Sequence, residues 1–282
     1  MNTKELALKL FKLDEKVIAK CGGDHDICLH CDMCFEQFKD TIVTDLSDLS
    51  QYIDHTLLKP NASYNDIENI CKEAKDHKFH SICINPYFIP FAKKKNKNLN
   101  LCTVIGFPLG ASATDIKIAE TKKAIEDGAR EIDMVINIGL LKSITTGMNH
   151  GRDYKPMVNT LKREISAISK ICRKNCSLLK VIIETCLLTP EEIKIACLIA
   201  KKASANFVKT STGFSTGGAT IENISIMRKT IGLKHGVKAS GGIKTHEDAL
   251  NMLKAGASRL GTSSSITIKS KSNNEFSGSG IY

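Results

Sequence analysis

From Leu49 onward the chain alternates short apolar, β-branched runs with stretches of helical periodicity, and this constrains the fold more than any other feature. Strands are expected at 51–56, 80–85, 101–107, 131–137, 178–184, 206–211, 236–240 and 257–261. Helix starts separate most of them. Ser63 is followed by Asp66 three residues on, and Thr189 precedes Pro190-Glu191-Glu192. Thr114 and Thr245 are expected to cap helices too, and another helix is expected from Thr220. Strands that are apolar along their whole length, with helices between them, imply a parallel sheet covered on both faces. Eight such units in a chain of 282 residues point to a closed (β/α)8 TIM barrel. A doubly wound open sheet is the other arrangement considered, but no G-x-G-x-x-G follows the first strand. The stretch at 143–153 reads as an added loop after the fourth strand.

Two of the last three expected strands carry a lysine where an apolar residue belongs. Phe207-Val208-Lys209-Thr210-Ser211-Thr212-Gly213 and Val237-Lys238-Ala239-Ser240-Gly241-Gly242 each run into glycine. An ammonium is almost never buried alone, so such a lysine is either an edge residue with a snorkelling head or a working amine. Two cationic groups brought close disfavour each other's charge, which favours the neutral, nucleophilic amine that forms Schiff bases with carbonyl compounds. Alternation along the strands puts Lys209 with Ser211 on one face, and Lys238 with Ser240 on the corresponding face of the next strand. Glu131 and Asp133 share a face, as do Lys180 and Glu184. If these faces point inward, Asp133 can approach both lysines across the barrel. Gly213, Gly241-Gly242 and Thr262-Ser263-Ser264 follow the last three strands, where backbone N–H groups of barrels commonly hold phosphate. Gly213, Gly241, Gly242, Ser263 and Ser264 are therefore the candidate phosphate residues.

Taken together, these motifs resemble those of the deoxyribose-phosphate aldolase family. Further segments match it in order: Ile53-Asp54-His55-Thr56-Leu57-Leu58-Lys59-Pro60, Cys83-Ile84-Asn85-Pro86, Val104-Ile105-Gly106-Phe107-Pro108, Glu131-Ile132-Asp133-Met134-Val135-Ile136-Asn137 and Leu179-Lys180-Val181-Ile182-Ile183-Glu184-Thr185. The resemblance runs from about residue 50 to the C-terminus. It implies a class I aldolase barrel that reversibly cleaves 2-deoxy-D-ribose 5-phosphate to D-glyceraldehyde 3-phosphate and acetaldehyde, with no cofactor for the chemistry. On that implication Lys209 forms the Schiff base, Lys238 is its cationic neighbour and Asp133 relays protons. Asp54, Cys83, Lys180 and Thr210 fall among the substrate-binding positions, although Asp54 also suits a loop hydrogen bond and Cys83 suits packing. The C-terminal Tyr282 matches a family feature: its phenol would serve the enamine carbon, unless the terminus is frayed. Two rivals remain, an aldolase for another phosphorylated sugar and a non-catalytic barrel that responds to metal or redox state.

The ends of the chain read differently from its middle. Residues 1–46 form an expected extension: an amphipathic helix with Leu6, Leu10, Leu13 and Val17 on one face, then a cysteine-rich segment. Cys21, Cys28, Cys31 and Cys34 could hold zinc or an iron–sulfur cluster, or form a metal-free, redox-sensitive segment. Residues 47–268 form the barrel, and 269–282 are polar and read as a flexible tail. Net charge is +10, but the lysines are spread over helix faces and there is no tryptophan, so a nucleic-acid partner is not expected. No run reaches the roughly 18 apolar residues of a membrane span. Eleven cysteines, several of them in apolar strands, suit a reducing cytoplasm. The expected partners are small phosphorylated sugars and aldehydes; a homodimer is left open.

Overall fold

The computed structural model describes residues 2–11 and 46–275. Its eight strands are β1 Ile53–Leu57, β2 Ser81–Ile84, β3 Leu101–Ile105, β4 Glu131–Val135, β5 Leu178–Ile182, β6 Phe207–Lys209, β7 Gly236–Ser240 and β8 Arg259–Thr262. All neighbours pair in parallel and β8 closes on β1, making the expected (β/α)8 barrel. The described helices are α1 Thr3–Phe11, α2 Tyr64–His77, α3 Ile89–Lys95, α4 Thr114–Glu126, α5 Ile138–Asn149, α6 Lys155–Lys174, α7 Pro190–Lys202, α8 Ile221–Ile231, α9 His246–Lys254 and α10 Ser265–Glu275. None of them is long and apolar enough to cross a membrane.

Local sequence explains most helix starts. Ser63, Thr189 and Thr245 each complete a capping box, with Asp66, Glu192 and Asp248 returning the bond. Thr114 does not cap. It is the first residue of α4, after Ala113, and its hydroxyl donates to Glu164 Oε2 at 3.1 Å. That carboxylate also takes the Lys117 ammonium at 2.9 Å in a buried pair, so tertiary contact outranks the local capping signal.

Of two stretches expected to be irregular, one is mostly helical and the other is helical as far as it is described. The residues read as a loop at 143–153 belong for the most part to α5, because Leu141, Ile144, Gly147 and Met148 recur at helical spacing and are buried. The stretch expected as a tail from 269 begins inside α10. There Ile268 is buried, its carbonyl accepts from His246 Nδ1 at 3.0 Å, and Lys269 Nζ donates to the His77 carbonyl at 2.6 Å. At the other end α1 buries Leu6, Ala7 and Leu10 and packs against α7, so the extension starts as part of the barrel's outer layer. The continuation of that helix to Leu13 and Val17 lies outside the described residues.

The main apolar core fills the space between strands and helices. The inside of the barrel is different: a small apolar cluster of Leu58, Cys83, Cys102 and Val104, with Phe107 against it, occupies one side. Beside it lie the buried charged side chains of Asp54, Glu131, Asp133, Lys180, Lys209, Lys238 and Arg259.

Candidate active site

Strand pairing decides which side chains meet inside the barrel. Lys209 of β6 is level with Lys238 of β7 and with Ile182 of β5, and Asp133 of β4 is level with Lys180 of β5. Side chains alternate along each strand, so level partners share a face. This places Asp54, Ser81, Cys83, Cys102, Glu131, Asp133, Lys180, Lys209, Lys238 and Arg259 on the inner face.

Asp133 is the hub. Its Oδ2 accepts from Lys209 Nζ at 2.8 Å and from Lys238 Nζ at 2.9 Å. Its Oδ1 accepts from Lys180 Nζ at 2.8 Å and from the Cys102 thiol at 3.2 Å. One oxygen is thus tied to the barrel floor while the other is shared by the two motif lysines. Lys238 is held a second time, by Asp54 Oδ2 at 2.5 Å. Asp54 in turn receives Ser81 Oγ at 2.7 Å and Arg259 Nη1 at 2.8 Å. Below them Glu131 takes Lys180 at 2.5 Å and Arg259 at 3.1 Å. Gly261 of β8 is required here: a Cβ on it would lie 2.9 Å from Lys238 Cε.

Charge bookkeeping then separates the lysines. Burial alone would raise the carboxyls of Asp54, Glu131 and Asp133, but the adjacent lysines, together with Arg259 for Asp54 and Glu131, outweigh it and hold all three well below the usual carboxylate range. Burial would likewise strip the proton from Lys180 and Lys238, yet the carboxylates outweigh it and push both upward. Three carboxylates therefore face four basic side chains, counting Arg259. Lys180 and Lys238 are fully buried and each touches more than one carboxylate. Lys209 touches one, Asp133, and keeps a small exposed edge. Of the three lumen lysines it has the fewest carboxylate partners, and it alone among them keeps any exposed surface for a carbonyl compound to reach.

Of the residues singled out in the sequence, Lys209, Lys238, Asp133, Asp54, Lys180 and Cys83 come together in the lumen. Asp54 and Lys180 are committed to ion pairs there, with no exposed surface. Thr210, expected beside the substrate, has its hydroxyl tied to the Ser240 backbone: it donates to the carbonyl and accepts from the N–H, both at 3.0 Å. Cys83 is buried next to Cys102, whose hydrogen bond lowers the Cys83 thiol below its ordinary value. Cys102, Ser81 and Arg259 were not singled out, although period-two alternation on adjacent strands is the signal that would have found them. Cys21, Cys28, Cys31, Cys34 and Tyr282 lie outside the described residues. Two lumen groups, Cys83–Cys102–Asp133 and Asp54–Cys102–Glu131, bring metal-type ligand atoms within 4.8 Å of one another. Their carboxylates already face four basic side chains, so this donor set suits ammonium and guanidinium groups better than a metal ion.

Above this layer the chain turns outward through glycine. Gly213, Gly241 and Gly242 have φ of 86°, 83° and 81°, a region that favours glycine. Gly213 and Gly242 are exposed, and a Cβ on either would meet nothing within 4 Å. Ser263 and Ser264 lead into the N-terminus of α10, where Ser264 N–H donates to Thr262 Oγ1 at 3.0 Å. The three turns end neighbouring strands, and Gly218 of the β6 loop meets Gly241 of the β7 loop directly, since a Cβ on it would fall 2.2 Å from the Gly241 carbonyl oxygen.

Comparison with known proteins agrees with this geometry. The family model described as "DeoC/LacD family aldolase" matches residues 24–268, beginning ahead of the boundary expected at residue 47. A deoxyribose-phosphate aldolase of Carboxydothermus hydrogenoformans is 51% identical over 222 residues, covering 78% of this chain and 93% of its own length. One from Clostridium perfringens is 52% identical over 226 residues, covering 79% and 95%. Among solved structures, deoxyribose phosphate aldolase from Aeropyrum pernix, described as a unique tetramer, superposes with a TM-score of 0.71. It is 30% identical, over 87% of this chain and 98% of that one.

Proposed function

The chain belongs to the DeoC/LacD family of aldolases, and from that premise we propose that it is a deoxyribose-phosphate aldolase. The reaction is the reversible cleavage of 2-deoxy-D-ribose 5-phosphate to D-glyceraldehyde 3-phosphate and acetaldehyde. The observation that carries this reading is the single carboxylate oxygen of Asp133 shared by Lys209 and Lys238.

Lys209 attacks the C1 aldehyde of the open-chain sugar, and loss of water gives an iminium. Its positive charge replaces that of an ammonium beside Asp133, so the lumen gains no uncompensated charge. The C3 hydroxyl then loses its proton, the C2–C3 bond breaks, and its electron pair moves into the iminium to form an enamine. Glyceraldehyde 3-phosphate leaves. Protonation at C2 and hydrolysis release acetaldehyde and restore the amine. Asp133, within reach of both lysines, carries protons between them and the substrate, and Lys238 remains the fixed cation of the pair. Phosphate binds at the turns of Gly213, Gly241-Gly242 and Ser263-Ser264, where N–H groups and the α10 N-terminus favour an anion.

The test is borohydride reduction in the presence of 2-deoxyribose 5-phosphate. A covalent adduct should map to Lys209, and Lys209→Ala should lose both adduct and turnover. An adduct only on Lys238 or Lys180 would overturn the assignment. Two parts of the proposal lie outside the described residues: metal binding by Cys21, Cys28, Cys31 and Cys34, read by elemental analysis of anaerobically purified protein, and entry of Tyr282 into the site, read by its deletion. Light scattering decides on the homodimer, the Aeropyrum relative being described as tetrameric.

A further inference from the structure

Four hydroxyl side chains crowd the upper ends of β6 and β7, and three of them are spent on the protein itself. Thr210 Oγ1 bonds both backbone groups of Ser240. Ser240 Oγ donates to the Ser211 carbonyl at 2.7 Å. Thr212 Oγ1 donates to Glu184 Oε2 and accepts from Phe214 N–H at 3.1 Å. The fourth, Ser211 Oγ, is fully buried and has no hydrogen-bond partner among the described residues. Buried hydroxyls are normally paired, so one left over in an otherwise satisfied cluster calls for a physical reason.

Two other described hydroxyls share that condition, on Ser50 and Thr185. Ser50 precedes β1, at the opposite end of the barrel from the glycine turns. Thr185 opens a 3-10 turn beyond β5, after the left-handed Glu184, and so falls outside the strand alternation that sets the inner face. Ser211 instead lies two residues beyond Lys209, on the same inner face. It also abuts the glycine turns. A Cβ on Gly241 would lie 3.6 Å from Ser211 Cβ and 3.8 Å from Gly213 Cα. Ser211 therefore sits between the reactive amine and the turns assigned to phosphate.

We propose that the Ser211 hydroxyl determines specificity for the phosphorylated end of the substrate by donating a hydrogen bond to a phosphate oxygen. The inference rests on the phosphate reading given above and adds a side-chain donor to its backbone N–H groups. A neutral hydroxyl suits this place: it stays buried in the free enzyme without a charge to balance, and gains a charged acceptor only when substrate arrives.

Ser211→Ala keeps the shape of the site and removes only that donor. Its kcat/KM for 2-deoxyribose 5-phosphate should fall by about 10- to 100-fold, the usual loss for a hydrogen bond to a charged group, with the fall carried by KM. The loss for unphosphorylated 2-deoxyribose should be much smaller. Equal losses on both compounds would place the bond on a sugar hydroxyl and overturn the proposal, as would no loss on either. Thermal unfolding gives a second readout. Without ligand, Ser211→Ala should be at least as stable as the parent, because no protein partner is lost; a less stable variant means a structural role and overturns the proposal. Inorganic phosphate should raise the midpoint of the parent more than that of the variant, and equal shifts likewise overturn it. A parent protein that does not turn over deoxyribose 5-phosphate defeats the functional reading instead, and the phosphate-protection comparison still tests Ser211.

Discussion

At the scale of single residues, the lumen assigns roles by the number of partners each charge has. Lys180 and Lys238 are fixed cations because carboxylates surround them, whereas Lys209 shares one oxygen of Asp133 with Lys238. The precision of that arrangement depends on a missing side chain. Gly261→Ala would push on Lys238 Cε, whose ammonium is pinned by Asp54 and Asp133 and has nowhere to retreat. We expect turnover to drop by about 100-fold, the scale of a misplaced catalytic group, while borohydride still traps acetaldehyde on Lys209. Unchanged kcat would show that Lys238 tolerates displacement.

At the scale of elements, capping boxes carry more than helix ends. In the box that opens α7, Thr189 N–H donates to Glu192 Oε2 at 2.8 Å, and Glu192 also receives Lys142 Nζ at 2.6 Å and Thr145 Oγ1 at 3.0 Å from α5. The cap thus ties two adjacent helices together. Thr189→Ala should cost about 1 kcal/mol of stability with kcat untouched, read by urea unfolding beside a turnover assay. The same element shows where local reading stops. Thr189 and Ser63 announce their helices with an acid three residues on, whereas Thr114 is followed at that spacing by Lys117 and its hydroxyl goes to Glu164 instead. Residues 143–153 look like a loop because threonine, glycine and asparagine crowd together; burial of Ile144 and Met148 makes most of them helix.

For the whole molecule, stability should follow the charged barrel interior. The pKa values of Asp54, Glu131 and Asp133 are lowered on folding, so the stability they contribute is complete above their unfolded values near 3.8 and 4.5 and is lost as pH falls below them. Those of Lys180 and Lys238 are raised, so their contribution is complete below 10.5 and is lost as pH climbs beyond it. Burial lowers His55 and His235 from 6.5, which makes folding bind fewer protons there and takes away stability as pH drops below that value. Urea unfolding across pH 3 to 11 should therefore show a plateau from about 7 to about 10, a shallow acid shoulder, and a steep fall below about 4.5. A profile flat down to pH 3 would mean that the buried carboxylates contribute nothing.

What the sequence determined by itself is what short-range physics can carry. Period-two and helical patterns announced eight strand–helix units, and parallel apolar strands in that number have one common way to close. Alternation put Lys209, Lys238 and Asp133 on faces able to meet, and they do. Tertiary structure alone decided the rest. Arg259, Ser81 and Cys102 acquire their roles through register between strands distant in sequence, as when Arg259 reaches Asp54 across 205 positions. Thr210 and Ser211 are adjacent hydroxyls that no local pattern distinguishes, yet one is consumed by β7 and the other is left without a protein partner among the described residues. Which of two neighbours is spent depends on which strand lies beside it, and chain closure rather than local preference sets that.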